Sequence, residues 1–180
     1  MKNLLLMFLI ISSSFTFQSV QAQSFPKMDA SPMDLAMARP DKTSPPLARV
    51  IYSRPQTKGR TVFGDLVPYG EVWRTGANEA TELTIYTPLK FGKTTLKPGT
   101  YTLYTIPDED NWTIIINHDT NVWGAYSYKK EKDVARMAVP CKDAAAPIES
   151  LSMIFRPEAN GTTLIIGWDT EYVEIPFRKE

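Results

Sequence analysis

The sequence predicts an all-β protein, an antiparallel two-sheet β-sandwich of about nine or ten short strands. From Leu47 onward, apolar and polar residues alternate with a period of two in one short segment after another, the pattern of half-buried strands. Turn-forming Gly, Pro, Asn and Asp residues separate these segments at regular intervals. No segment requires a helix longer than a turn or two, so sheet is expected to pack on sheet.

Residues 1–22 are predicted to be a signal peptide. Lys2 gives a positively charged start, residues 4–11 (LLLMFLII) form an apolar core, and Val20 and Ala22 occupy the specificity positions before the cleavage site. The apolar run is far shorter than the roughly 20 residues that span a bilayer. We therefore expect a periplasmic or secreted mature chain with no membrane insertion after cleavage. An uncleaved N-terminal anchor is the alternative.

Residues 23–46 are predicted to be a Pro-rich lead-in, and residues 47–180 to be the β-sandwich domain. Five prolines between positions 26 and 46 exclude a long helix in the lead-in. A short strand fits at residues 33–38, and the rest of the lead-in is expected to lie along the surface or to stay mobile.

The strands of the domain are assigned in order from the alternation. In ARVIYS, Val50 and Tyr52 share one face, and in TELTIYT, Leu83 and Ile85 do so. PDED, ANG and WDTE are expected to form turns, and strand is preferred over a short helix for VARMAV. The later segments with strand character are GTYTLYTI, WTIIIN, VARMAV, SLSMIF, TTLIIGW and YVEIPF. In the last three of them, the residues expected to point inward are Leu151, Met153, Phe155, Leu164, Ile166, Trp168, Val173, Ile175 and Phe177.

The charge balance argues against nucleic acid and anionic membrane surfaces as partners. Twenty acidic and twenty basic residues cancel, which leaves no basic footprint for a polyanion. The single cysteine, Cys141, excludes an internal disulfide and is interpreted as an incidental loop residue. One His and one Cys are too few for a typical zinc site. We predict no metal and no cofactor.

His118 is a weak catalytic candidate. It lies beside Asp119, but adjacent residues of a strand point apart, and a lone His is more often structural. Residues 117–121 alternate Asn and Asp in the manner of a calcium loop. Val122 and Tyr128, however, occupy the positions where that loop has Gly and Glu.

The stretch YGEVWRTGANEATELT, residues 69–84, contains the densest group of polar candidates. Gly76 is expected to allow a positive φ and Asn78 to tolerate one, so the chain bends after the strand. This bend is predicted to aim Arg74, Asn78 and Glu79 into one solvent-accessible site. The alternative is a purely local arrangement in which Arg74 pairs with Glu79 and Asn78 caps a turn.

Two further groups extend the candidate site. YSRPQTKGR contributes Arg54, Lys58 and Arg60, and arginine side chains suit two-point contacts with carboxylate or phosphate. These charges could equally pair with neighbouring glutamates on the surface. Trp73, Trp123 and Tyr126 offer flat faces that suit sugar rings, although burial in the core is the commoner fate of such residues. 

The segments YSRPQTKGR, FGDLVPYGEVWRTGANEAT, KPGTYTLYTIP, WTIIIN and WGAY, in this order, resemble the bacterial domain of unknown function family 2911. The resemblance covers roughly residues 30–178. It implies a small exported β-sandwich protein and no established activity. One departure, RPDKTSPP, stands where a shorter Gly-containing link is expected and affects the first strand pairing. The matching polar and aromatic residues are Arg54, Lys58, Gly59, Arg60, Trp73, Arg74, Asn78, Glu79 and Thr81.

We therefore predict an exported, non-enzymatic protein that binds a small polar, anionic or carbohydrate-like ligand, or an envelope protein or glycan. A hydrolase that uses Glu79 or His118 as general base is one alternative, although a carboxylate among arginines has a low pKa and is a poor base. A purely structural envelope module is the other. The predicted ligand-binding residues are Arg54, Lys58, Arg60, Trp73, Arg74, Asn78, Glu79, Trp123 and Tyr126.

Overall fold

Nine strands form most of the regular structure. The computed structural model describes residues 22–180, so the predicted signal peptide lies, except for Ala22, outside the described residues. The all-β prediction is confirmed, and among residues 22–180 there is no helix of the length and apolar character that a membrane span requires. The strands are β1 (Met33–Ala38), β2 (Ala48–Ser53), β3 (Glu82–Ile85), β4 (Leu89–Phe91), β5 (Thr94–Leu96), β6 (Gly99–Ile106), β7 (Asn111–Asn117), β8 (Asp133–Glu158) and β9 (Gly161–Lys179), with one 3-10 helix (Lys130–Lys132) before β8.

The strands form one continuous antiparallel sheet in the order β1-β2-β3-β6-β7-β8-β9-β4-β5. The prediction of two separate sheets is therefore corrected. The N-terminal part of β8 pairs with β7 as far as Pro140, and β8 then pairs with β9 from Cys141 onward. Strand β8 therefore joins the two halves of the sheet, because its first part pairs with β7 and its second part pairs with β9.

Strands β8 and β9 are much longer than predicted because two interruptions bend them without ending them. Pro140 has no N–H to donate, and it lies at the last pair of the β7 ladder, where β8 changes partner. Asp169 takes a left-handed φ of 53° next to a register shift in the β8–β9 pairing. The turn predicted at WDTE is therefore wrong, because the chain there forms an irregularity within β9.

The sheet curls so that the chain at the end of β2 meets the C-terminal half of β8. The Met153 N–H donates to the Tyr52 hydroxyl at 2.9 Å. The Leu151 N–H donates to the Pro55 carbonyl, also at 2.9 Å. The inner faces of the two halves therefore enclose a common core.

The predicted alternation correctly identifies the core residues of most strands. Leu83 and Ile85 are buried, whereas their neighbour Thr84 is partly exposed. Buried residues alternate in the same way in β9 after the irregularity, whereas almost every residue of β9 before it is buried. The other residues predicted to point inward and found buried are Val50, Tyr52, Leu151, Met153, Leu164, Ile166, Trp168, Val173, Ile175 and Phe177. Phe155, also predicted to point inward, packs against the core but is only partly buried.

A second, smaller apolar cluster lies on the outer face of β6 and β7. Tyr104 and Ile115 are buried there, whereas Leu103 points into the main core. Ala80 and Val122, from two separate loops, also belong to this cluster. Its burial holds both loops against the outer face, and these loops carry the candidate site.

Candidate functional site

The first loop, residues 73–81, is closed by backbone hydrogen bonds at both ends. Trp73 and Thr105 exchange both of their backbone hydrogen bonds, at 2.7 and 3.0 Å. The Thr81 N–H donates to the Arg74 carbonyl at 3.1 Å. The loop is therefore attached to β6 at its start and folded back on itself.

The bend in this loop does not use Gly76 in the predicted way. The left-handed residues are Thr75, with a φ of 56°, and Asn78, with a φ of 57°. Gly76 instead allows the loop to pack closely against β2, because a Cβ at this position would lie 3.2 Å from the Ser53 carbonyl oxygen. Thr75 is buried, and left-handed backbone is unfavourable for a β-branched residue. 

The second loop, residues 118–128, pairs with the first through Glu79 and Trp123. These two residues lie opposite each other in an isolated antiparallel bridge. The hydrogen bonds flank the pair, so Glu79 and Trp123 form the non-hydrogen-bonded type, in which side chains are closest and lie on the same face. The flanking bonds run from the Ala80 N–H to the Val122 carbonyl (3.0 Å) and from the Gly124 N–H to the Asn78 carbonyl (2.9 Å).

Trp123 and Tyr126 form an exposed aromatic platform. Their rings stack with centroids 5.6 Å apart and planes 19° apart, and the residues are 61% and 80% exposed. Gly124 makes this possible, because its φ is +71° and a Cβ there would lie 2.6 Å from the Tyr126 ring. The WGAY sequence thus folds one aromatic ring over its glycine and onto the other ring.

A pocket of about 220 Å³, the glutamate pocket, lies between the outer face of β1–β3 and the two loops. The Asn121 N–H donates to Glu82 Oε1 at 3.1 Å and holds that carboxylate in place. No lysine or arginine of the described residues lines this pocket. The residues that line it are Met33, Ile51, Tyr52, Ser53, Glu79, Ala80, Glu82, Asn121 and Val122.

Arg54, a predicted ligand-binding residue, is engaged within the protein. Its guanidinium donates to Asp34 Oδ2 at 3.0 Å, to the Leu151 carbonyl at 3.0 Å and to Ser152 Oγ at 2.9 Å. It therefore joins β1 to the C-terminal half of β8.

The segment that contains Lys58 and Arg60 is also held by internal contacts. Arg60 donates to the backbone carbonyls of Thr57 and Gln56, at 2.8 and 2.7 Å. The Thr57 hydroxyl and the Lys58 N–H both donate to the Glu149 carboxylate, and these hydrogen bonds hold the pKa of Glu149 below its usual range. Lys58 enters this contact through its backbone, at a left-handed φ of 51°.

Trp73, Arg74 and Asn78 lie in the first loop but do not line the glutamate pocket. Trp73 packs on the core, stacked on Trp168 with centroids 5.9 Å apart, so it offers no free stacking face there. Arg74 is half-buried, and its Nε has no hydrogen-bond partner among the described residues. The Asn78 amide donates to Asp29 Oδ1 at 3.1 Å, within the lead-in. Of the first loop's candidates, only Glu79 reaches the pocket.

The remaining catalytic and metal candidates lie outside this site. His118 is exposed, and its ring is 5.8 Å from the Tyr101 ring. Asp119 pairs with Lys132 at 2.5 Å, and the Asn117 amide donates to Asp133 at 2.8 Å. Within residues 22–180, no group of three or more His, Cys, Asp and Glu side chains could hold a metal ion.

Cys141, predicted to lie in a loop, lies in β8 and is half-buried. Its thiol donates to Glu171 Oε2 at 3.1 Å. Burial, together with this hydrogen bond and the Glu171 charge, raises the pKa of Cys141 to about 12. The thiol is therefore a poor nucleophile near neutral pH.

Sequence reasoning missed the partners that surround Glu79. Glu82 and Ile51 are cross-strand neighbours on the outer face of β2 and β3, and the alternation in TELTIYT does place Glu82 opposite the core-facing Leu83. Gly124 could have been identified from its place between two aromatic residues. Met33 and Asn121 come from distant parts of the chain, and no local pattern marks them as pocket residues.

The comparisons with known proteins identify a family and no activity. A family model described as "Protein of unknown function (DUF2911)" matches residues 31–177. No curated protein and no solved structure matches the chain.

Proposed function

This chain belongs to the DUF2911 family, whose function is unknown, and we propose that it is an exported protein that binds a carbohydrate-like ligand. The ligand lies on the aromatic platform of Trp123 and Tyr126 and extends into the glutamate pocket. The observation that carries this proposal is the exposure of two stacked rings on a loop that is itself held in place. Large exposed aromatic surface of this kind, next to polar groups, is typical of recognition sites.

The chemistry of the two surfaces is complementary to a sugar. The apolar face of a sugar ring packs on an indole or phenol ring, and its hydroxyl groups donate to carboxylate oxygens. Glu79 connects the two surfaces, because it lines the pocket and lies opposite Trp123. The pocket volume of about 220 Å³ is below the range of about 300–1,000 Å³ typical of small-molecule pockets, so it would hold one ring or one substituent.

An anionic ligand is not favoured at this site. Arg54 and Arg60 already donate to acceptors within the protein, and neither lines the glutamate pocket. A carboxylate or phosphate would approach Glu79 and Glu82 without a cation of the pocket to balance its charge. Of the predicted ligand classes, a carbohydrate-like ligand therefore fits this site better than an anionic one.

Export of the mature chain is the second part of the proposal, and it rests on the basic start, the apolar core and the cleavage site of residues 1–22. Mass spectrometry of the protein from fractionated cells tests it. We expect a chain that begins at Gln23 in the periplasmic or secreted fraction. An uncleaved chain in the cytoplasmic or membrane fraction would overturn it.

Hydrolysis is the second candidate function, because Glu79 and Glu82 line the same pocket and many glycosidases use a pair of carboxylates. We expect binding without turnover. Prolonged incubation with the oligosaccharides that bind, followed by analysis of new reducing ends, decides between the two. Products that disappear in Glu79→Gln would replace the binding function with a hydrolytic one.

Thermal unfolding in the presence of oligosaccharides tests the binding function, because a ligand that binds only the folded state raises Tm. The panel contains neutral, N-acetylated and free-amine oligosaccharides. We expect at least one member to raise the Tm of the wild-type protein, and Trp123→Ala or Tyr126→Ala to abolish the shift.

Tyr86→Ala is the matched control, because Tyr86 is also an exposed aromatic residue (41%) but lines neither the platform nor the glutamate pocket. It should retain the full ligand-dependent shift. If no oligosaccharide raises Tm, or if the platform variants retain the shift, the proposed function is wrong.

A further inference from the structure

We infer that the glutamate pocket selects a protonated amine, so that the preferred ligand is a sugar with a free amino group. This inference rests on the proposed function and specifies its ligand class. Two independent features of the site favour a cation, the charge of the pocket and the exposed indole beside it.

The charge of the pocket is the first feature. Glu79 and Glu82 are its only charged lining residues among those described. The Asn121 N–H occupies one oxygen of Glu82 and orients the carboxylate, and the second oxygen has no protein partner within residues 22–180. An ammonium group can therefore donate to a carboxylate that is already positioned.

The exposed indole of Trp123 is the second feature. Trp is the most favourable aromatic side chain for contact with a cation, through the negative face of its ring. Because Glu79 and Trp123 form a close cross-strand pair, a carboxylate and an indole lie on the same side of the two loops. A ligand amine between them would gain both interactions.

The apolar walls of the pocket strengthen this preference. Met33, Ile51 and Val122 line it together with the two glutamates. Attraction between opposite charges is stronger where apolar groups exclude water than at an open surface. The same walls increase the repulsion of a ligand carboxylate, so uronic acid sugars should be excluded.

Isothermal titration calorimetry with two oligosaccharides of equal length tests the inference. One is a hexosamine oligosaccharide with free amines, and the other is its fully N-acetylated form, which lacks the positive charge. At neutral pH and moderate salt, we expect the free-amine form to bind about tenfold more tightly. Added salt should weaken its binding more than that of the acetylated form.

Two isosteric variants test whether the charges of Glu79 and Glu82 cause the preference for the free-amine oligosaccharide. Glu79→Gln and Glu82→Gln remove one charge each and keep an acceptor oxygen, so they should reduce the tenfold preference to about threefold or less. Glu109→Gln is the control for non-specific attraction, because Glu109 is exposed in the β6–β7 hairpin and does not line the pocket. It should leave the preference unchanged.

The outcomes separate this inference from the proposed function. Equal affinity for the two oligosaccharides would overturn the amine selectivity and leave carbohydrate binding in place. A preference that Glu109→Gln reduces as much as Glu79→Gln does would also overturn it. If neither these two oligosaccharides nor any member of the larger panel binds, the proposed function fails as well.

Discussion

Glu79 and Trp123 face each other in a cross-strand pair that joins two loops rather than two strands of the sheet. The hydrogen bonds on either side of the pair hold the loops in register. The buried Ala80 and the partly buried Val122, next to them in the chain, pack both loops on the outer face of β6 and β7. A carboxylate and an indole are thereby presented to solvent by rigid backbone, which reduces the conformational entropy lost on binding.

Replacement of Gly124 by alanine should disrupt the aromatic platform. The new Cβ would lie 2.6 Å from the Tyr126 ring, so the ring must move away from Trp123. The left-handed backbone at φ +71° is unfavourable for alanine and lowers the free energy of unfolding by about 1–2 kcal/mol. We expect loss of stability in urea unfolding and loss of oligosaccharide binding in calorimetry.

Gly70→Ala is the matched control for Gly124→Ala. Gly70 has a similar φ of +75°, but nothing lies within 4 Å of a Cβ at that position. This variant should lose a similar amount of stability and retain binding. If Gly124→Ala also binds like the wild type, the stacked arrangement of Trp123 and Tyr126 is not needed for recognition.

Arg54→Ala should destabilise the fold without affecting ligand binding. The substitution removes three hydrogen bonds that join the chain just after β2 to β1 and β8, and it leaves the Leu151 carbonyl without this donor. We expect a loss of about 1–3 kcal/mol in the free energy of unfolding, measured by urea titration.

Arg54→Lys should recover only part of that loss, because a single ammonium group cannot reproduce the planar fork of the guanidinium. Both variants should bind the oligosaccharide normally at a temperature where they are folded. If the Arg54→Ala protein is stable but no longer binds the oligosaccharide, Arg54 is part of the ligand site after all.

The stability of the protein should fall in acid partly because of Glu174. Arg156 and Lys142 donate to its carboxylate at 2.8 and 3.0 Å and lower its pKa from 4.5 to about 2. The unfolded chain therefore binds this proton at higher pH than the folded protein does. The stabilisation that the ionised Glu174 gives to the folded protein is complete above pH 4.5 and is lost as the pH falls toward about 2.

Glu174→Gln should accordingly flatten the dependence of stability on pH in this window. Urea midpoints from pH 7 down to pH 3 measure the slope. The exposed Glu109→Gln serves as control and should retain the wild-type slope. Identical slopes for the wild type and Glu174→Gln would show that this ion-pair network does not contribute to acid sensitivity.

Much of the fold was predictable because the core-facing positions alternate. Leu83 and Ile85 are buried on one face, as their spacing indicates. The hairpin of β4 and β5 was not predicted, because each strand has only three residues, too few for an alternation to be recognised. The single continuous sheet was not predicted either, since a proline and a turn-like WDTE sequence normally end strands. In this protein they only bend β8 and β9.

The candidate site was predictable in its residue types and only partly in its location. Trp123 and Tyr126 have the same side-chain chemistry as aromatic residues of the core, such as Trp168, so the sequence does not distinguish exposure from burial. Two of the three partners of Arg54 lie almost one hundred positions away in β8, with a separation of 97 residues to Leu151. Contacts of this kind depend on the curl of the sheet, which no local pattern encodes.

The most direct measurement is an NMR titration of the four tryptophan indole N–H signals with an oligosaccharide that raises Tm. Trp73, Trp112 and Trp168 pack in one aromatic cluster of the core, whereas Trp123 is 61% exposed. We expect the Trp123 signal to shift saturably and the other three to stay in place. A Trp123 signal that does not move while the ligand binds would contradict the proposed site.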